Sequence, residues 1–112
     1  MKAGKVWGET LKIHAVPGCF EFHRIFALEG HECSKHLHKT KYNGFWVEQG
    51  ILRVTVWQPS GTIDYTVLQD GDFMVVPPGV HHRFTALMDT VAFELYWAEL
   101  HPEDIERENV GH

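Results

Sequence analysis

Turn-forming residues recur along this chain about every 8 to 12 positions, the spacing of short strands in a sandwich or barrel. They are Pro17-Gly18, Glu29-Gly30, Asn43-Gly44, Gln49-Gly50, Pro59-Ser60-Gly61, Asp70-Gly71 and Pro77-Pro78-Gly79. Glycine supplies the left-handed backbone and proline the fixed φ that tight turns need, so the intervals between them favour strands over helices. Two intervals, Phe20 to Phe26 and Leu52 to Trp57, alternate apolar and polar residues with period two and read as half-buried strands. The repetition predicts an all-β domain of about eight or nine strands. Only the tail departs from it. Pro102 suits a first helical position and Glu103-Asp104 would complement the helix dipole, which predicts a short C-terminal helix from Pro102 to Glu108.

A chain of 112 residues has room for one hydrophobic core, so residues 1–112 are expected to form a single domain. Its barrel should span about residues 20–98, with an N-terminal strand and the C-terminal tail packed on it. A 44% apolar composition, with seven Phe, four Trp and three Tyr, is enough to fill that core and argues against disorder. The formal charge of −5 and the lack of any long Lys/Arg run argue against a nucleic-acid partner. No apolar stretch reaches the length of about 18 residues that a membrane span requires. Met1-Lys2-Ala3-Gly4-Lys5 lacks the apolar segment of a secretory signal, which predicts a cytoplasmic location. There Cys19 and Cys33, which have no neighbours at metal-clip spacing, would remain reduced packing residues.

Nine histidines are unusual in so short a chain. His36 and His38 are separated by one residue, so on a strand both imidazoles leave the same face and can converge on one ion. Surface histidines in a short loop give the same pattern. The second relevant stretch is Gly71 to His82: a glycine turn, the apolar run Phe73 to Val76, the turn Pro77-Pro78-Gly79, then His81-His82 opening another strand. On a regular strand His81 points away from the side His82 occupies. His14, His23, His31, His101 and His112 show no ligand spacing and read as solvated or packing residues.

The order Gly30-x5-His36-x-His38-x4-Asn43-x6-Gly50, followed by Gly71-x5-Pro77-x-Gly79-x2-His82, resembles the two sequence motifs of the cupin family. The resemblance implies a double-stranded β-helix, or jelly-roll barrel. In cupins the two histidines of the first motif, a glutamate after them and the histidine of the second motif face inward and bind a metal. Carried over, the ligands are His36, His38 and His82, with Asn43 where the family has glutamate. An amide oxygen is a weaker, uncharged ligand, so one divalent ion (Zn, Mn, Fe, Co or Ni) would keep nearly its full charge. It would favour an anionic or chelating oxygen ligand. The alternative is a barrel that uses the same histidines as hydrogen-bonding lining groups.

Within the cupins the chain resembles the C-terminal domain of type II phosphomannose isomerases, often fused to a mannose-1-phosphate guanylyltransferase. The likeness begins at Trp7-Gly8, continues through Arg24-Ile25, and includes Ser34-x-His36-x-His38-x2-Lys41-x-Asn43-x-Phe45, which lies over that family's Ser-x-Gln-x-His-x2-Arg-x-Glu-x-Trp. Pro77-Pro78-Gly79-x2-His82-Arg83 follows its barrel turn, Phe93-Glu94-Leu95 its Ile-Glu-Val run, and Glu103-Asp104-Ile105-x-Arg107 its terminal Glu-Asp-Asp-Ile-x-Arg. His36, Asn43 and Lys41 depart from the family's Gln, Glu and Arg. The resemblance implies interconversion of an aldose and a ketose phosphate, such as mannose 6-phosphate, with a base moving a proton through an enediol.

Glu94 and Tyr96 share one face of the last strand and are the candidate proton-transfer groups, unless that face is the outer one. Lys41 could hold a phosphate or carboxylate, or be an exposed turn lysine. The small-molecule substrate would be anionic or polyhydroxylated. A three-histidine site with open positions also resembles the ferrous cupin dioxygenases, and a non-enzymatic sugar-binding barrel is a third reading. The apolar Val6, Trp7, Leu11 and Ile13 on an N-terminal strand predict a homodimer, although a strand folded back on its own barrel would also cover them.

Overall fold

A computed structural model of the chain describes residues 2–98, 103–109 and 111. Nine strands occur among them: β1 (Lys2–Lys5), β2 (Gly8–Val16), β3 (Phe20–Ala27), β4 (Tyr42–Gln49), β5 (Leu52–Trp57), β6 (Ile63–Leu68), β7 (Phe73–Val76), β8 (His81–Ala86) and β9 (Thr90–Trp97). They form two antiparallel sheets, a six-stranded one in the order β1-β2-β3-β9-β4-β7 and a three-stranded one in the order β6-β5-β8. This is the expected all-β jelly-roll arrangement, with both periodic runs of the sequence becoming strands.

Alternation sorts each strand into an inner and an outer row. Ile25 and Ala27 of β3, Phe45 and Val47 of β4 and Ala92 of β9 face Leu52, Val54 and Val56 of β5 and Phe84 and Ala86 of β8. These side chains close one half of the interior as a packed apolar plug; truncating Phe45, which is 1% exposed, to alanine would cost about 3–5 kcal/mol. Gly50, which ends the first motif, has φ +122, and a Cβ there would lie 2.7 Å from the Thr90 Cα. That glycine therefore lets the β4–β5 connection press against the start of β9.

The other half of the interior, where β4 and β8 begin and β9 ends, carries polar groups on the same inward rows. Across the six-stranded sheet Glu21 pairs with Tyr96 and Tyr96 with Asn43, while His23 pairs with Glu94 and Glu94 with Phe45. Apolar residues plug one end, and the polar residues gather at the other.

Two expectations need correction. The described tail residues 103–109 contain a turn and bends but no helix, and Pro102 lies outside the described residues. Ile105 donates its N–H to the Glu103 carbonyl, a bond too short in span to start a helix. A segment of so few residues cannot offset helix nucleation without tertiary packing, and all of 103–109 is exposed. The N-terminal strand is in fact a hairpin: Val6 and Trp7 form a turn between β1 and β2, and Leu28 donates its N–H to the Trp7 carbonyl at 2.8 Å. No described helix is long and apolar enough to cross a membrane.

Candidate metal centre

The segment before β4 is irregular, yet it is pinned along β8. Cys33 donates its N–H to the Phe84 carbonyl at 3.1 Å, and His36 donates to the His82 carbonyl at the same distance. Farther on, Gly79 at φ +80 donates to the His38 carbonyl at 2.7 Å, so the Pro77-Pro78-Gly79 turn of the second motif holds the histidine of the first. The three rings meet inside the barrel. Ring centroids lie 5.1 Å apart for His36 and His38, 4.7 Å for His36 and His82, and 5.5 Å for His38 and His82. One nitrogen from each falls within 4.8 Å of the other two. An ion bonded to imidazoles at about 2.1 Å bridges nitrogens up to about 4 Å apart, so a small side-chain adjustment closes the set.

Hydrogen bonds orient two of the rings. His36 Nδ1 lies 2.8 Å from the Ser34 carbonyl and His82 Nδ1 lies 3.0 Å from that of Val80, so in the Nδ1–H tautomers these nitrogens donate outward and leave Nε2 to face the centre. His38 Nε2 is buried and has no hydrogen-bond partner. A buried ring nitrogen without a partner is costly in a metal-free barrel and becomes satisfied when an ion binds, so the donor set fits a divalent metal. Burial, then the charges of Lys41, His36 and His82, pushes the His38 pKa down to about 4. His82 is also lowered, chiefly by burial. Both rings are therefore neutral at pH 7, the form that coordinates.

Asn43 is buried beside them, its Oδ1 3.0 Å from His82 Nε2. With Nε2 protonated the amide oxygen accepts from it; with Nδ1 protonated the amide turns to donate, or both groups face an ion. His81, as its position on the strand predicts, is exposed while His82 is 1% exposed.

Glu94 and Tyr96 both point inward. The Tyr96 hydroxyl donates to Glu94 Oε2, and Tyr96 stacks edge-on to His38 with centroids 5.1 Å apart. Burial raises the Glu94 pKa to about 7, against the smaller opposing influences of Tyr96, Lys5 and Lys41. Burial and the neighbouring Glu94 push the Tyr96 pKa upward, so it remains a phenol. A cavity of about 410 Å³ is lined by His36, Glu94, Tyr96, His23, Cys33 and Trp7 among others, within the usual size range of small-molecule sites.

Lys41 lies on the far side of Tyr96, its Nζ 4.5 Å over that ring and 3.4 Å from Glu21 Oε2. It borders a second cavity of about 300 Å³, which also touches Tyr96.

By spacing alone His23 reads as a solvated or packing residue. It lines the first cavity, its Nε2 is 3.4 Å from Glu21 Oε1 and its ring is edge-on to Tyr96. The signal was present in β3, where Glu21 and His23 share the face of the buried Ile25. His101 and His112 lie outside the described residues.

A model of the cupin domain family matches residues 24–99, well over half of the chain. This chain is a cupin. Its three-histidine group makes it a metal-binding member by fold and donor set.

No curated protein matches the chain. Among solved structures it is similar to KdgF from Halomonas sp., with TM-score 0.72 and 18% identity over 86% of this chain and 84% of that one. It is also similar to Bacillus subtilis oxalate decarboxylase, in a structure concerned with its Mn(II) centres, with TM-score 0.78 and 16% identity over 94% of this chain and 29% of that one. The capsular polysaccharide assembling protein CapF from Staphylococcus aureus matches with TM-score 0.76 and 16% identity over 93% and 32%. The cupin thus spans most of KdgF but about a third or less of the other two, and at these identities the likeness is one of fold.

Proposed function

We propose that this cupin is a metal-dependent isomerase that moves a proton between neighbouring carbons of a small polyhydroxylated carbonyl compound, a sugar phosphate such as mannose 6-phosphate being the first candidate. The observation that carries the reading is the placement of Glu94: a buried carboxyl with a pKa of about 7, held by Tyr96, in the same cavity as His36. A general base is most effective when its pKa lies near the working pH. His36, His38 and His82 would hold the ion, and Asn43 would complete its shell.

A bound divalent ion supplies Lewis acidity toward a carbonyl and adjacent hydroxyl oxygen. Glu94 in its ionised form takes the proton from the carbon next to the carbonyl, and the C–H electron pair becomes the C=C bond of an enediolate as the carbonyl oxygen takes up the proton of the adjacent hydroxyl. The Glu94 acid then returns its proton to the former carbonyl carbon while the C=O bond forms at the adjacent one. Tyr96 stays protonated and fixes the carboxylate through its O–H. Lys41, paired with Glu21 on the neighbouring cavity beyond Tyr96, would act on the substrate only at a distance, through Tyr96. A ferrous dioxygenase would use the same three imidazoles but give Glu94 and Tyr96 no task, and a binding barrel would need no base.

The test is incubation of the zinc- or manganese-loaded protein with mannose 6-phosphate in deuterium oxide. The reading expects a ketose product carrying deuterium and its loss in Glu94→Gln; oxygen uptake by the ferrous protein without deuterium exchange would favour the dioxygenase instead.

The same reading takes residues 1–112 as one domain and the protein as cytoplasmic, in keeping with the free thiols of Cys19 and Cys33. It also makes the protein a homodimer. Leu11 and Arg24 continue across the outer face of the six-stranded sheet into Phe93, Trp46 and Phe73, a row in which Leu11, Trp46 and Phe73 are exposed. Ile13, at the bulge of β2, is exposed as well, whereas Trp7 is spent on the barrel's own Phe84.

A further inference from the structure

We propose that the β1–β2 hairpin is the recognition wall of the metal cavity and that the ammonium group of Lys5 selects ligands bearing a carboxylate or phosphate. The inference rests on reading that cavity as the substrate site. The hairpin contributes Lys5, Val6, Trp7 and Thr10 to the space lined by His36, Glu94 and Tyr96. No metal-ligand spacing marks these residues, and their apolar members in the sequence suggest only a covered strand.

The hairpin is fixed firmly enough to act as a wall. Trp7 packs edge-on against Phe84 with centroids 4.9 Å apart, and the Leu28 N–H bonds to the Trp7 carbonyl at 2.8 Å. Gly8 has φ +151, and a Cβ there would sit 1.9 Å from the Phe26 carbonyl oxygen. The start of β2 is thus seated on β3 at a distance that only glycine permits, and this sets where Lys5 stands, directly before the turn.

The charge balance of the cavity points to an anion even with Glu94 counted as one negative charge, because that charge offsets at most one of the three positive charges of a divalent ion and Lys5. The cavity's metal ligands are neutral, so a divalent ion keeps its charge. Glu32 at the cavity wall is already paired with Arg83, whose Nη1 lies 3.3 Å from Glu32 Oε1. Glu21 is held between Lys12 and Lys41. Lys5 is exposed at the rim and makes no ion pair among the described residues, while its charge is felt by Glu94 inside the cavity. A ligand whose oxygen pair meets the ion and whose remote end carries an oxyanion satisfies both cations. A charge-assisted contact of that kind is the strong class of hydrogen bond.

Calorimetric titration of the zinc-loaded protein with glucose, glucuronate and glucose 6-phosphate tests this without any turnover. Wild type should bind the charged sugars about tenfold more tightly than glucose. Lys5→Met should reduce their affinity to that of glucose, and Lys5→Arg should retain the preference; a thermal midpoint matching wild type shows that the variants fold. Comparing glucuronate with glucose 6-phosphate tells which oxyanion the rim prefers. Equal affinities in wild type, no binding of any of the three, or a preference that survives Lys5→Met overturns the proposal. Deuterium exchange that depends on Glu94 would then still stand by itself, and charge-selective binding without such exchange would instead sink the isomerase reading.

Discussion

His36 and His82, far apart in sequence, exchange both of their backbone hydrogen bonds, His36 N–H to the His82 carbonyl at 3.1 Å and His82 N–H to that of His36 at 2.8 Å. Directly opposed residues of an antiparallel pair project their side chains to the same side. One isolated bridge therefore does for His36 and His82 what a shared strand would do, aiming both imidazoles into the barrel, while the Gly79 N–H bond to the His38 carbonyl holds the third ligand's backbone.

Glu94 makes a prediction about stability. Its folded pKa is about 7 and its unfolded value is the usual one near 4.5, so between those pH values the folded metal-free protein keeps a proton that the unfolded chain releases. Stability contributed by this group falls as pH rises through that window and levels off above it, by on the order of 3 kcal/mol. His38 and His82, with lowered pKa values, change stability in the opposite direction, so the comparison has to be made between proteins. Denaturant unfolding of Glu94→Gln against wild type should show the variant gaining relative stability from pH 4.5 to 7. A difference independent of pH would mean that folding leaves the pKa of this carboxyl where it stands in the unfolded chain.

Asn43→Asp places a carboxylate where the cupin motif has an acid, at nearly constant volume. Attraction to a divalent ion across about 4 Å amounts to about 4 kcal/mol per unit charge at an effective dielectric of 20, partly offset by desolvation. Chelator competition should show at least about tenfold tighter zinc binding. Unchanged affinity would place the amide outside the ion's reach.

Gly50→Ala should destabilise the barrel by about 2 kcal/mol or more, because the new Cβ meets the Thr90 backbone and the residue must hold φ +122. Gly30, also left-handed at φ +80, has open space around its missing Cβ, so Gly30→Ala carries the backbone strain alone and should cost less. Thermal unfolding of the two variants separates close approach from strain.

The dimer reading predicts that sedimentation of the wild type gives twice the chain mass and that Ile13→Lys with Leu11→Lys shifts it toward the monomer. A monomeric wild type would show that this outer face is solvated in spite of its aromatic content.

The strand pattern was legible because glycine and proline mark turns whatever the tertiary context, and the ligand triad because the order of its glycines, proline and histidines resembles the two cupin motifs; the strand expected to carry His36 and His38 is an irregular segment instead. The inward face of β9 could not be read from alternation alone. Glu94 and Tyr96 are polar residues on a buried row, and only the register with Phe45 and Asn43 of β4 settles their side. His23 and Lys5 escaped for a related reason: their role depends on what lies opposite, across β9 for one and across the cavity for the other. The tail helix failed because capping residues favour a helix start without supplying the packing that keeps so short a helix folded.

Elemental analysis of the purified protein, beside His36→Ala and His82→Ala, measures the metal centre most directly. The account predicts close to one equivalent of a divalent transition metal in wild type and its loss from both variants, each still folded by circular dichroism. Metal content that is the same in all three proteins would contradict it.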